Sequence, residues 1–425
     1  MNNDYIVVKQ TSKLQGTVEV SGAKNSVLKL MAAAILIPGE THISNVPDIA
    51  DVRLMQQVLE SLGIRVSWPA SDMISIDATS LSSHKAPYEL VAHMRASTAV
   101  LGPLAARLGR ASVALPGGCA IGSRKIDMHI SGLEALGARC HIEHGYIEVE
   151  APEGGLKAAD VTLEFPSVGA TENLILAAVG ACGTTTITNA AREPEISDLV
   201  DFLISAGVSI EGRGTTKLVI EGTSSAQLKT GFEHKVVGDR IEAGTFLVAG
   251  ALVGGPVTVT GFNPNHLAVV LKKLQETGAN LTILDDGVRI ERSEAIKAVS
   301  IQTLPFPGFP TDMQAQFMTL MSIAQGSSVI TENVFENRFM FADEIARMGA
   351  DIRIEGHHAL VNGVPQLSGA PTASPDLRGG AALVLAGLVA EGETRVSNLH
   401  HIDRGYEHFC EKLQSIGAQI ERLPL

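Results

Sequence analysis

Aromatic side chains are scarce in this sequence, 4% of 425 residues, and Trp68 is its one tryptophan. A core so poor in large rings must be built from Ala, Val, Ile, Leu and Gly, which suits helices and strands that approach closely. Cysteine is scarce too. Cys119, Cys140, Cys182 and Cys410 show no CxxC spacing and are too few for a disulfide framework in a chain of this length. Positive charge is in deficit: 33 Lys and Arg against 46 Asp and Glu leave a net charge of −13. That balance argues against a general affinity for nucleic acid or an anionic membrane. The longest apolar runs, such as AALVLAGLVAEG, stop short of the ~18 residues a membrane span needs. The first residues, MNNDYIVVKQTSKLQG, lack the basic-then-apolar pattern of a secretory signal. These absences predict a soluble, reduced, cytoplasmic chain. An anionic ligand would have to be met by cations concentrated locally.

A single core rarely grows past roughly 250–300 residues, so the length predicts two domains. What fills them is a repeat. An apolar helix ending in Gly, followed by an alternating strand, recurs as LESLGIRVSW, LEALGARCHIE, LISAGVSIEG, LQETGANLTIL, IARMGADIRIE and LQSIGAQIERL. The glycines are Gly63, Gly137, Gly207, Gly278, Gly349 and Gly417, a period of roughly 70 residues, with Gly as the expected helix stop. A second set of helices lies between them: AKNSVLKLMAAAIL, MRASTAVLGPLAARLG, VGATENLILAAVGACG, DRIEAGTFLVAGALVGG, TDMQAQFMTLMSIAQG and DLRGGAALVLAGLVAEG. These are apolar on nearly all sides, the pattern of buried helices. The fold class that follows is α/β: six compact units, three per domain, with buried inner helices surrounded by sheets.

If the inner helices of a domain run parallel, their N-termini share one face and attract anions. Lys24, Arg95, Arg240 and Arg378 sit at these starts, and Arg124, Arg192, Arg338 and Arg404 lie in the repeat loops. Asp127, Asp239, Glu242, Asp312, Asp376 and Asp403 fall among them, as helix caps or arginine partners. Asp312, after a Pro and before an inner helix, reads equally as a cap or as a carboxylate that takes a proton from a substrate hydroxyl. Cys119, in LPGGCAIGSRKID, reads equally as a turn residue or as a thiol activated by nearby Arg124. Cys140, Cys182 and Cys410 read as packing residues.

Ten motifs carry a resemblance: LPGGCAIGSRKID, SGAKN, MRAS, SVGATEN, AAREPEI, DRIEAGTF, FPTDMQAQF, ENVFENRF, DLR and HIDRGYE. Through them the chain, from about residue 6 to its C-terminus, resembles the enolpyruvyl transferases, in the branch whose acceptor is UDP-N-acetylglucosamine. The resemblance implies a two-domain inside-out α/β barrel. Residues 1–22 with 239–425 would form one domain and 23–238 the other, with the active site in the cleft between them. It implies transfer of the enolpyruvyl group of phosphoenolpyruvate to the sugar 3-hydroxyl with release of phosphate, the first committed step of peptidoglycan synthesis. Cys119 would be the general acid, able to carry a phosphoenolpyruvate adduct and open to fosfomycin. Asp312 would be the base or the group orienting the hydroxyl. Lys24, Arg124, Arg338, Arg378 and Arg404 would hold phosphoenolpyruvate. Asn25, Arg95, Arg124, Lys125, Ile126, Asp127, Met128, His129, Ser167, Val168, Gly169, Asp312 and Val334 would hold the nucleotide sugar. No metal, cofactor, nucleic acid or membrane partner is implied. Three residues depart from the family pattern: Lys125 for a Pro, Phe165 for a Lys found in one branch, and Met340 for a His. A sister transferase acting on shikimate 3-phosphate or a free nucleotide, and a non-catalytic binder of the nucleotide sugar, are the alternative readings. The nucleotide-sugar motifs argue against the first, and intact Cys119, Asp312, Lys24 and Arg404 against the second.

Overall fold

The computed structural model describes residues 4–92, 94–115, 126–292 and 294–424. Two compact units divide the chain: residues 22–115 with 126–237, and residues 4–21 with 238–424. Each has its own apolar core, and no residue belongs to both. Among the described residues no helix is long and apolar enough to cross a membrane.

The six inner helices form as the apolar runs predict. They are α1 (Lys24–Ala33), α2 (Leu101–Leu108), α3 (Val168–Val179), α4 (Arg240–Val253), α5 (Gln314–Met321) and α6 (Leu377–Gly387). Every residue of α4 is buried, including Arg240 and Glu242 at its start. Two inner helices begin later than the pattern suggests. Arg95–Val100 precedes α2 as a 3-10 turn, and Thr311–Met313 precedes α5 in the same way. Pro103 has no N–H to donate one turn back, which favours a tighter turn before it.

The described strands form six four-stranded sheets, three in each unit. One repeat shows the plan. Strand Asp160–Thr162 pairs in parallel with Thr184–Thr188, and α3 is the connection that parallel pairing requires. The outer helix Pro194–Ser205 follows, then an antiparallel hairpin of Ser209–Glu211 and Lys217–Glu221 laid beside Thr184–Thr188.

The repeat glycines end the outer helices by one mechanism. All six have positive φ, between 85° and 98°, where a Cβ would be strained. After each, the next N–H reaches back five residues, as in Ile64 to Leu59 O and Val208 to Leu203 O. The glycine N–H itself bonds three residues back, as in Gly63 to Glu60 O. This is the Schellman stop.

Three strands are borrowed from far along the chain. Tyr5–Lys9 lies antiparallel between Glu393–Ser397 and Ile420–Leu423. Gly16–Glu19 pairs in parallel with Val257–Thr260, and Glu233–Lys235 with Glu40–Ser44.

Candidate active site

In the unit of residues 4–21 and 238–424, three of the predicted residues meet. Asp312 lies in the turn before α5, where Pro310 is the cap position. Its carboxylate meets two buried arginines. Arg338 Nη1 is 2.8 Å from Oδ1, and Arg378 donates to Oδ2 through Nε at 3.2 Å and Nη2 at 3.1 Å. Arg378, the second residue of α6, is 2% exposed and Arg338 4%, whereas Asp312 is 24% exposed. With both oxygens held, the carboxylate has one orientation. The cap roles fall to other acidic residues. Asp239 accepts from Ile241 and Glu242 N–H, and Asp376 from Arg378 and Gly379 N–H. Asp403 pairs with Arg422 in an exposed position.

Two groups around this trio carry no early sequence signal of their own. Glu332 is 2% exposed and gathers four donors. Its Oε1 accepts from Thr303 Oγ1 (2.8 Å), Val334 N (2.8 Å) and Phe335 N (3.1 Å), and its Oε2 from Thr311 Oγ1 (2.9 Å). Thr311 Oγ1 in turn accepts from Arg338 Nη1 at 3.1 Å. One carboxylate therefore ties Val334 and the start of the Arg338 loop to the turn that carries Asp312. Tyr406 lies under the Arg378 guanidinium, 5.2 Å from the ring centre, and its hydroxyl meets Thr245 Oγ1 at 2.9 Å. Burial pushes that phenol above its ordinary value. Arg404 sits half-buried in the turn after Leu399–His401. Burial, then His400 and Arg404, hold His401 below its ordinary value, while Asp376 opposes them.

In the unit of residues 22–115 and 126–237, the predicted residues cluster at the N-terminal ends of α1 and α3 and on the helix Asp127–Ala135. Lys24 opens α1 with its Nζ 2.8 Å from Asp51 Oδ2, and Asn25 is exposed in the same turn. Ser26 donates to Asp198, which also accepts from His234 Nε2 (2.8 Å) and Val237 N (3.2 Å), and this anchors α1. Arg95 begins its 3-10 turn. Ile126 caps the helix Asp127–Ala135, where Asp127 is exposed, Met128 half-buried and His129 buried. Ser167 caps α3, its Oγ accepting from Ala170 N at 3.4 Å. Gly169 leaves room for His129, because a Cβ there would lie 3.2 Å from the imidazole. Below this end, Lys29 of α1 pairs with wholly buried Glu172 of α3.

Cys119, Arg124 and Lys125 lie outside the described residues. Of the other departures, Phe165 is 43% exposed and Met340 37%. Among the thiols, burial and then Glu134 push Cys140 up to about 11, and burial pushes Cys410 up to about 12. Cys182 corrects the packing reading: it is exposed, beside the parallel bridge to Lys157 at a sheet margin. Among the described residues no group of three His, Cys, Asp or Glu is placed to hold a metal ion.

The family profile of EPSP synthase (3-phosphoshikimate 1-carboxyvinyltransferase) matches residues 8–413. The UDP-N-acetylglucosamine 1-carboxyvinyltransferase of Corynebacterium jeikeium is 52% identical over 420 residues, 99% of each chain. That of Gloeobacter violaceus is 48% identical over 423 residues, covering 99% of this chain and 91% of its own. Among solved structures, the enolpyruvyl transferase NikO from Streptomyces tendae superposes over 100% of both chains with a TM-score of 0.88 at 25% identity. EPSP synthase from Acinetobacter baumannii, at 18% identity and a TM-score of 0.73, shares the fold. With its six α/β repeats and a profile match spanning nearly the whole length, the chain belongs to the EPSP synthase family of enolpyruvyl transferases.

Proposed function

We propose that this chain transfers the enolpyruvyl group of phosphoenolpyruvate to the 3-hydroxyl of UDP-N-acetylglucosamine and releases phosphate, the step that commits the sugar to peptidoglycan. One observation carries the reading: full-length relatives at about half identity bear that activity in their names. The sugar oxygen bonds to C2 of the enol as C3 takes a proton, giving a tetrahedral ketal. C3 then loses a proton as the C2–O bond to phosphate breaks, and the double bond re-forms.

The residues divide the work. Asp312 accepts from or orients the sugar hydroxyl. It suits this because two guanidinium groups fix its direction while a quarter of the side chain stays open to an incoming hydroxyl. Cys119 supplies the proton to C3. Lys24, Arg124, Arg338, Arg378 and Arg404 hold the phosphate and carboxylate of phosphoenolpyruvate, for which guanidinium geometry is suited. Asn25, Arg95, Ile126 to His129, Ser167 to Gly169 and Val334 hold the nucleotide sugar. The chemistry of addition and elimination needs positioning, charge stabilisation and proton transfer from these side chains and no further group. The chain works in the cytoplasm, where both substrates are made.

The test is phosphate release from phosphoenolpyruvate with UDP-N-acetylglucosamine, wild type beside Cys119→Ser. Shikimate 3-phosphate serves as the control acceptor. Release with the nucleotide sugar, largely lost in the variant, is the expected result. Release with the control acceptor alone would make the chain a sister transferase. Tight nucleotide-sugar binding without turnover would make it a binding protein.

A further inference from the structure

Helix α3 carries three buried polar side chains that none of these roles uses, Thr171, Glu172 and Asn173. Asn173 is 1% exposed, one turn beyond Gly169, and its amide reaches three elements. Oδ1 accepts from Gly102 N–H at 2.9 Å, satisfying a first-turn donor of α2 that has no partner within its own helix. Nδ2 donates to Thr98 O at 2.9 Å and meets His129 Nδ1 at 2.8 Å. Gly102 permits the approach, since a Cβ there would lie 2.3 Å from the backbone oxygen of Asn173.

The direction of this amide follows from its fixed neighbours. Reversed, its NH2 would face the Gly102 N–H and its oxygen the Thr98 carbonyl, two like-to-like contacts in a buried place. With Nδ2 the donor, His129 Nδ1 must accept, and the neutral ring carries its proton on Nε2. An imidazolium would set Nδ1–H against the amide N–H. Nε2 is also the edge that lies against Gly169, where α3 begins.

From this we infer that Asn173 is a positioning residue that locks His129 in its Nε2–H tautomer, so that the ring offers a neutral N–H donor to an acceptor oxygen of the nucleotide sugar. The ligand in this statement rests on the proposed function; the tautomer does not. The same amide ties the 3-10 turn of Arg95, α2 and the helix Asp127–Ala135 to α3. Loss of the amide therefore disturbs the tautomer and the spacing together, and the test must separate them.

The first measurement is ring-nitrogen NMR of the full chain with labelled histidine near neutral pH, the His129 signals being those lost in His129→Gln. Nδ1 without a proton and Nε2 with one is expected. An Nδ1–H or imidazolium pattern overturns the inference, with the function untouched. The second is Asn173→Asp, whose carboxylate accepts from both Gly102 N–H and an Nδ1–H, forcing the ring out of its tautomer. KM for UDP-N-acetylglucosamine should rise about tenfold, with KM for phosphoenolpyruvate unchanged. In the His129→Gln background, Asn173→Asp should add little further loss. Losses that simply add would assign Asn173 a packing role and overturn the inference. The expected tautomer in a chain that does not bind UDP-N-acetylglucosamine would overturn the proposed function and the ligand named here.

Discussion

The buried pair of Glu172 and Lys29 makes the stability of one unit depend on pH. Glu172 lies on α3 with 1% of its surface exposed, and its Oε1 has no hydrogen-bond partner among the described residues. Burial pushes the carboxyl from its ordinary 4.5 up to about 7; Lys29 pulls it down, and Glu195 and Glu193 push it further up. The folded chain therefore binds this proton more tightly than the unfolded chain. The stabilisation is present in full below the ordinary value and is lost as pH rises through about 7. A carboxyl so raised costs the fold about 3 kcal/mol once it must ionise. Glu172→Gln imitates the protonated form and removes the titration. The stability of wild type relative to this variant should thus fall by about 3 kcal/mol between about pH 4 and about pH 9. Urea unfolding followed by tryptophan fluorescence is the assay. Trp68 is the only tryptophan and belongs to the same unit, with its Nε1 on Gln56 Oε1 at 2.9 Å and Arg53 over the ring. Glu242, also pushed up to about 7 by burial, lies in the other unit, whose unfolding this probe does not follow directly. A difference that stays flat within about 0.5 kcal/mol across that range would refute the reasoning. It would mean that the ion pair to Lys29 outweighs desolvation and keeps Glu172 charged throughout.

Three further outcomes are expected. Asp312→Asn keeps the shape but gives up the charge between Arg338 and Arg378, and kcat should fall roughly 10²–10⁴-fold; a change under about threefold would remove Asp312 from the chemistry. Glu332→Ala strands two hydroxyls and two N–H groups and should cost about 2–4 kcal/mol in denaturant unfolding, with a raised KM for the nucleotide sugar because Val334 loses its anchor. Gly169→Ala brings a methyl to 3.2 Å from the His129 ring; calorimetric titration should show UDP-N-acetylglucosamine binding weakened by several-fold, with stability changed by under about 1 kcal/mol.

The repeat was legible because each copy ends on the same local device. A glycine at positive φ after an apolar helix writes itself into the sequence, and six of them at one spacing give the architecture. Buried inner helices were legible for a similar reason: Ala, Val and Leu on all sides leave no polar face. Side-chain partnerships were not. Asp312 read equally as a cap, and only the approach of Arg338 from a distant turn and Arg378 from the start of α6 shows which groups hold it. Glu332 and Asn173 each stand inside a motif that was read, but their work depends in part on partners 21 to 75 positions away. Cys182 was misread because a strand-like neighbourhood does not reveal that the residue lies at a sheet margin.

The strand Tyr5–Lys9 has a consequence for synthesis on the ribosome. It is made several hundred residues before either of its neighbours, Glu393–Ser397 and Ile420–Leu423. The unit that ends with strand Glu233–Lys235 has all its described sheet partners while residues 238–424 of the other unit are still unmade. The other unit must hold Tyr5–Lys9 unpaired until Glu393–Ser397 has been made. A nascent chain stalled near residue 240 would therefore carry one finished half and two unpaired strands, Tyr5–Lys9 and Gly16–Glu19, and the segment that holds them, not the core, is where premature pairing or a chaperone would act.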